Sequence, residues 1–384
     1  MRCAASLCEQ IPLQLKEVDE GRGSTKRDGS MQDFKDKKIF LTGHTGFKGA
    51  WLTYMLHQMG AEVMGYSLEP NTNPSLFEVL QGAKLCHSVI GDIRDTEHLH
   101  RCMASFQPDI VFHLAAQPIV RTSYKIPAET FEVNAIGTAN VLDGIRLLEK
   151  PCVGVMITTD KVYQNNETGQ AYKEDDRLGG YDPYSASKAC AELVIDSYRK
   201  SFFNPADYEQ HHKAIASARA GNVIGGGDWA ADRLVPDIVR ALSKGEAIQI
   251  RNPKAVRPWQ HVLEPLSGYI LLAQKLLEDP IRYAEGFNFG PNPADTLTVE
   301  EMTQMATEIW GEGTFVFPKL TNQPHEAGLL SLDISKAEKV LGWRPHLNAR
   351  KALEMTLEWY KAFYSNPAAI NELTAKQIRQ FDKV

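Results

Sequence analysis

No stretch of this sequence approaches the roughly 20 consecutive apolar residues that a helix needs to cross a bilayer, so a membrane-spanning reading is excluded. Cysteine is sparse and scattered: Cys3, Cys8, Cys86, Cys102, Cys152 and Cys190 form no CxxC pair and have no histidine at ligand spacing. That pattern excludes a disulfide frame and a zinc or other metal site, and reads as reduced cytoplasmic thiols. Positive charge is also short, with 42 Lys and Arg against 48 Asp and Glu. A net charge of -6 offers no bulk attraction to nucleic acid or an anionic membrane, so any phosphate must be held by a local site. There are no internal repeats and no low-complexity tracts. A secretory signal is missing as well: the apolar patch from Ile11 to Leu15 is short and gives way to charge and glycine. Residues 1–35 read as a mobile leader, and Met31 stands just before the first strand as an alternative start.

What is present is the composition of a packed globular protein, 43% hydrophobic and 23% charged over 384 residues. That length allows one large domain or two joined ones. Ile39 to Thr42 is a short apolar run ending at Gly43, as suits a strand buried on both faces. A helical pattern follows from Phe47 to Met59, with Gly60 at its C-terminal stop. Glu62 to Tyr66, Ser88 to Ile90, Ile110 to Leu114, Val153 to Thr158 and Ile215 to Arg219 are further strands. Helical patterns at Ala128 to Leu148 and Tyr184 to Phe202 lie between them. Strands alternating with helices predict an α/β fold, a Rossmann-type doubly wound parallel sheet. This domain is placed at residues 36–222. Residues 223–365, richer in glycine, proline and tryptophan, are expected to form a smaller mixed α/β substrate-binding domain, and 366–384 a C-terminal tail.

Gly43, Thr45, Gly46, Phe47, Lys48 and Gly49 join the first strand to the first helix. Glycines there permit a tight turn and let backbone amides reach a pyrophosphate at the positive helix end, which predicts dinucleotide binding. Residues 65–75 contain no arginine or lysine to pair a 2′-phosphate, which favours NAD. Asp92 and Ile93 are placed to bracket the adenine, and Ala115, Ala116 and Gln117 end a strand on the ligand-binding edge. His44 and Lys48 are read as residues that tune cofactor affinity or face solvent.

Tyr184 and Lys188, four residues apart on a helix, share a face. An ammonium beside a phenol favours phenolate and lowers its pKa. Thr158, Thr159, Asp160 and Lys161 bring hydroxyl, carboxyl and amine to a strand end. The motifs at 42–52, 113–117, 158–163 and 184–188 resemble those of the extended short-chain dehydrogenase/reductases, the NAD-dependent epimerase/dehydratase family. Those at 219–229 and 256–269 narrow the resemblance to its CDP-glucose 4,6-dehydratase branch, over residues 36–365.

The resemblance implies CDP-glucose as substrate, NAD as cofactor and a homodimer or homotetramer paired through the helix from Tyr184. By position, Tyr184 is the base on the sugar 4-hydroxyl, Lys188 holds the nicotinamide ribose and Thr159 bonds the same hydroxyl. Asp160 is the acid that protonates the departing 6-hydroxyl. Arg257 is a diphosphate clamp, Asn222 and Asn288 are partners for diphosphate or sugar, and Arg233 and Leu234 border the base. The related dTDP-glucose enzymes carry glutamate where Lys161 stands. Lys161 is therefore expected either to remove the C5 proton itself or to stabilise the enolate while another group does so. Other readings on the same residues are a 4-epimerase, a GDP-mannose dehydratase or a catalytically silent NAD-binding regulator.

Overall fold

The apolar run before Gly43 extends as strand β1 (Lys38–Thr42), one of seven parallel strands in the computed structural model, which describes residues 34–293, 295–318 and 329–383. The others are β2 (Glu62–Ser67), β3 (His87–Ile90), β4 (Ile110–His113), β5 (Cys152–Ile157), β6 (Lys213–Ala220) and β7 (Gly286–Phe289). Their order is β7-β6-β5-β4-β1-β2-β3. The chain reverses direction across the sheet between β1 and β4, the switch point where such sheets take their ligands. Alternate residues feed two cores. Phe40, Val111, Met156 and Ile215 face one, and Leu41, Phe112, Val155 and Ala216 face the other.

Helices α1 (Phe47–Gln58), α2 (Thr96–Phe106), α3 (Pro127–Phe131), α4 (Gly137–Arg146), α5 (Pro183–Ser201), α6 (Leu234–Lys244) and α7 (Leu263–Glu278) cover the sheet and the cleft above it. The single helix expected at 128–148 is interrupted by a π-helical turn at Glu132–Ile136. Helix α5 starts where its sequence says it must. Asp182 accepts from the Ser185 amide at 2.9 Å and Pro183 fills the first turn, so Tyr184 is fixed at the mouth of the helix.

The expected boundary at 222/223 is crossed by the sheet. Strand β7 comes from beyond it and pairs with β6, and α7 packs its apolar side on β5 and β6 within the same core. The rest of the second half is mixed α/β, with short pairs such as Val223–Ile224 with Gln260–His261 and Val256–Arg257 with Leu297–Thr298. Helices α8 (Val299–Trp310), α9 (Ala349–Ser365) and α10 (Ile370–Phe381) complete it. The tail is part of the core, because Ile370, Ile378 and Phe381 are buried against α9, and Thr374 accepts from the Trp359 indole at 3.0 Å. The leader lies outside the described residues but for its last two. No helix among the described residues is long and apolar enough to cross a membrane.

Glu264 anchors the start of α7. Its Oε1 accepts from the His346 and Leu347 amides at 2.9 and 2.6 Å, while burial pushes its pKa up to about 7. An acid whose folded pKa is raised stabilises the fold fully below its unfolded value and loses that contribution as pH rises through its folded value. The window here runs from the ordinary glutamate value of 4.5 to about 7, and a shift of this size corresponds to about 3 kcal/mol. Glu264→Gln keeps the acceptor and cannot ionise. Its thermal midpoint relative to the parent is expected to rise steadily across that window. A difference independent of pH would show that Glu264 does not titrate there.

Candidate active site

The turn after β1 is closed so tightly that side chains are excluded. Gly43 has φ +80, and a Cβ on it would lie 2.7 Å from the Ala115 amide nitrogen. A Cβ on Gly49 would meet the Gly43 carbonyl oxygen at 2.0 Å. Gly46 is the N-cap of α1 and offers no side chain to its amides, so the first-turn N–H groups face the sheet edge as an anion site. The Thr45 hydroxyl donates to the Leu68 carbonyl and meets the Ser67 hydroxyl, each at 2.8 Å, tying the loop to the end of β2. Strand β2 therefore ends on a neutral hydroxyl, and residues 65–75 around it carry no lysine or arginine. This chemistry fits an unphosphorylated ribose, and the cradle fits NAD.

His44 turns inward, neither facing solvent nor reaching the cleft. It is buried against Gly65, its Nε2 is 2.7 Å from Ser88 Oγ, and burial lowers its pKa to about 4. Lys48 stands at the cleft wall with its Nζ turned inward, donating to the Tyr269 hydroxyl at 3.3 Å. Burial, with the Arg233 and Lys188 charges, lowers its pKa to about 7. Asp92 is taken up by Arg94, which meets both carboxylate oxygens at 2.6–3.1 Å, and Ile93 is buried beside α4. The Ala115 amide donates to Thr42 Oγ1 at 3.2 Å, and Gln117 is clasped by Asn134, whose Oδ1 accepts its amide at 2.9 Å. Asn134 also donates to Ser187 on α5 at 2.9 Å. It was not singled out from sequence; the π-helical turn that carries it is the signal, since such turns concentrate at functional sites.

Beyond β5 the chain delivers Thr159, Asp160 and Lys161 beside Tyr184. Thr159 Oγ1 donates to Asp160 Oδ1 at 2.9 Å and lines the cleft beside the Tyr184 phenol. Lys161 Nζ reaches the same Asp160 oxygen at 3.2 Å and Asn222 Oδ1 at 3.3 Å. Asp160 is wholly buried, and its Oδ2 has no hydrogen-bond partner. Burial pushes Tyr184 up to about 12, and the Asp160 charge adds to this while the Thr159 hydroxyl opposes it. That is opposite to the lowering expected from Lys188. The reason is geometric: Lys188 Nζ is turned to the Ile157 carbonyl at 3.2 Å, and burial lowers its own pKa to about 8.

Phe47, Lys48, Thr158, Thr159, Lys161 and Tyr184 line a cleft of about 790 Å³ that continues to Asn222, Arg233, Leu234 and Arg257. Arg233 donates to Asp228 at 2.9 Å. Asn288 does not join them. It is buried in β7, with Oδ1 accepting from Tyr163 at 2.7 Å and Nδ2 donating to the Tyr172 and Asp333 carbonyls. All its polar atoms are committed to the fold, so the reading of Asn288 as a ligand residue is corrected.

Residues 40–356 match the family model for GDP-mannose 4,6 dehydratase. CDP-glucose 4,6-dehydratase of Salmonella typhimurium is 50% identical over 330 residues, 86% of this chain and 92% of that one. GDP-mannose 4,6-dehydratase of Sinorhizobium fredii is 27% identical over 84% of this chain and 97% of its own length. Among solved structures, a dTDP-glucose 4,6-dehydratase from Streptomyces venezuelae, determined with NAD bound, superposes with a TM-score of 0.73 at 23% identity, over 86% of this chain and 99% of that one.

Proposed function

Because the chain belongs to the GDP-mannose 4,6 dehydratase family, we infer that it is an NAD-dependent nucleotide-sugar 4,6-dehydratase that acts on CDP-glucose, releasing water and CDP-4-keto-6-deoxyglucose. The observation that carries the chemistry is the grouping of Tyr184, Thr159 and Lys161 on the cleft wall, with Asp160 buried behind them and bonded to Thr159 and Lys161. A 4-epimerase has no use for an acid and an amine set side by side to expel water, and a silent regulator has no use for any of the four.

The Gly43–Gly49 turn and the first amides of α1 would hold the cofactor diphosphate, and Lys188 the nicotinamide ribose. Bound NAD supplies the hydride acceptor for C4 and the hydride donor for C6, so it is regenerated within each turnover. The protein's own residues handle the protons. Tyr184 takes the 4-hydroxyl proton. Asp160 and Lys161 lie 3.2 Å apart, an acid and a base side by side. Lys161, acting as the base, takes the C5 proton, made acidic by the C4 ketone. Asp160 gives its proton to the leaving 6-hydroxyl. Lys161 then returns a proton to C5. Asp160 is recharged through Thr159 with the proton that Tyr184 received, so the hydrogen lost from the 4-hydroxyl leaves in the water. Atoms balance without a net oxidant.

Arg257 is read as the diphosphate clamp, Asn222 as a sugar or diphosphate partner, and Arg233 and Leu234 as the border of the base. The exposed Leu193 and Ile136, on α5 and the π-helical turn, support pairing into a homodimer or homotetramer. Cys86, Cys152 and Cys190 are free thiols, in keeping with a cytoplasmic site of action.

Purified protein incubated with CDP-glucose and NAD is expected to develop the alkali-induced near-ultraviolet absorbance of a 4-keto-6-deoxy sugar, with no accumulation of NADH. Signal from GDP-mannose or dTDP-glucose in place of CDP-glucose would overturn the base assignment and keep the mechanism. Silence with all three would overturn the dehydratase reading.

A further inference from the structure

We propose that the buried ion pair of Glu192 and Arg219 positions the catalytic segment, clasping it at Thr158 and at Tyr163 and setting a carboxylate one helical turn from Lys188. The inference rests on the dehydratase reading for its kinetic consequence and on geometry for the rest. Lys188 and Glu192 stand four residues apart on α5 and so project to the same side. Their side chains reach consecutive residues at the end of β5. Lys188 Nζ donates to the Ile157 carbonyl at 3.2 Å, and Glu192 Oε1 accepts from Thr158 Oγ1 at 2.5 Å. The other oxygen, Oε2, accepts from Ser217 at 2.9 Å and from Arg219 Nη2 at 2.8 Å.

Arg219 carries the clasp to the far end. Its Nη1 donates to the Tyr163 hydroxyl at 2.8 Å and to the Glu174 carbonyl at 2.9 Å, and its guanidinium lies 5.2 Å from the Tyr163 ring centre. Tyr163 in turn donates to Asn288, which explains why that asparagine is tied into the sheet. The segment from Thr158 to Tyr163, with Thr159, Asp160 and Lys161 inside it, is thus held at both ends by one ion pair. The two side chains are 2% and 7% exposed. A pair this buried adds little stability over apolar residues of the same size, so stability is not what distinguishes it. Placement and charge are.

The charge acts on Lys188. The titratable groups that act on that ammonium are Glu192 from its own helix, His113 from β4 and Lys48 from α1. Burial drives His113 down to about 3, so it is neutral, and Lys48 opposes a second positive charge. Glu192 is therefore the group that sustains the proton on Lys188 against burial. Lys188 loses its proton as pH rises through about 8, and activity that needs the ammonium falls on that alkaline side. Removing the Glu192 charge moves the fall to lower pH, and removing the Arg219 charge moves it to higher pH.

The test compares parent, Glu192→Gln, Arg219→Met and the double variant Glu192→Met/Arg219→Met. Each is checked for folding by circular dichroism and assayed with CDP-glucose across pH. In Glu192→Gln the alkaline limb of kcat is expected about one pH unit lower, with KM for CDP-glucose unchanged. The double variant leaves no unpaired buried charge, so it is expected to fold even where a single variant does not, and to keep the lowered limb. Titration of the Lys188 side chain by carbon-13 NMR, assigned with Lys188→Arg, reads the same shift without turnover. Limbs and titrations that coincide with those of the parent would overturn the proposal. A parent that makes no product from CDP-glucose, while the NMR shift is present, would overturn only the substrate reading.

Discussion

Replacing Asp160 with asparagine, Lys161 with methionine, or both together is expected to slow formation of the keto-deoxy sugar by the same factor, about 10²–10⁴, the range for loss of a positioned acid or base. The equality follows from the 3.2 Å contact between the two side chains. Asparagine preserves the shape that receives Thr159 and Lys161, but it cannot supply the proton that the 6-hydroxyl needs. It also removes the carboxylate that Lys161 Nζ contacts, so the group that takes the C5 proton loses its partner. Methionine leaves Asp160 intact and removes the group that takes the C5 proton. Either change disables both halves of the elimination, and groups that act as one unit give losses that do not multiply. Product absorbance measures the rate, and exchange of the C5 hydrogen with deuterated solvent isolates the first proton transfer. Exchange at the parent rate in Lys161→Met would remove Lys161 from that role. A double variant slower by the product of the two factors would show that the groups act separately.

Gly49→Ala is expected to weaken NAD binding by about 100-fold or more, equivalent to nearly 3 kcal/mol, and to lower the thermal midpoint as well. Its new Cβ would stand 2.0 Å from the Gly43 carbonyl oxygen, a backbone atom that cannot rotate away. The first turn of α1 must then lift from the end of β1, and the amide cradle opens. Gly46→Ala provides the contrast. A Cβ there meets the same oxygen at 3.4 Å, ordinary contact, so the fold is expected to hold its midpoint. NAD affinity is nonetheless expected to fall by about tenfold, because a methyl group at the helix cap keeps the diphosphate from the amides. Calorimetric titration and a melting curve on each variant separate the two effects. Equal NAD affinity in Gly46→Ala and the parent would place the diphosphate away from this helix end.

Legibility in the sequence tracked the range of the interactions involved. The strands from Ile39, Ile110 and Val153 announce themselves because a strand buried on both faces must be apolar along its whole length. The glycine turn is legible because its need for absent side chains is set by residues a few positions apart. Tyr184 and Lys188 share a helix face for the same local reason, and Asp182 with Pro183 marks where that helix begins. Strand β7 was not legible. Four residues, Gly286 to Phe289, carry no pattern of their own, and only their pairing with β6 makes them a strand and carries the sheet past residue 222. The reading of Asn288 as a ligand residue comes from the family resemblance alone, and its partners Tyr163, Tyr172 and Asp333 come from distant parts of the chain. The inward turn of His44 and Lys48, the rise of the Tyr184 pKa and the Glu192–Arg219 clasp were likewise decided by the tertiary structure. Burial and long-range pairing set a group's charge and direction, and neither is encoded in the spacing of its neighbours along the chain.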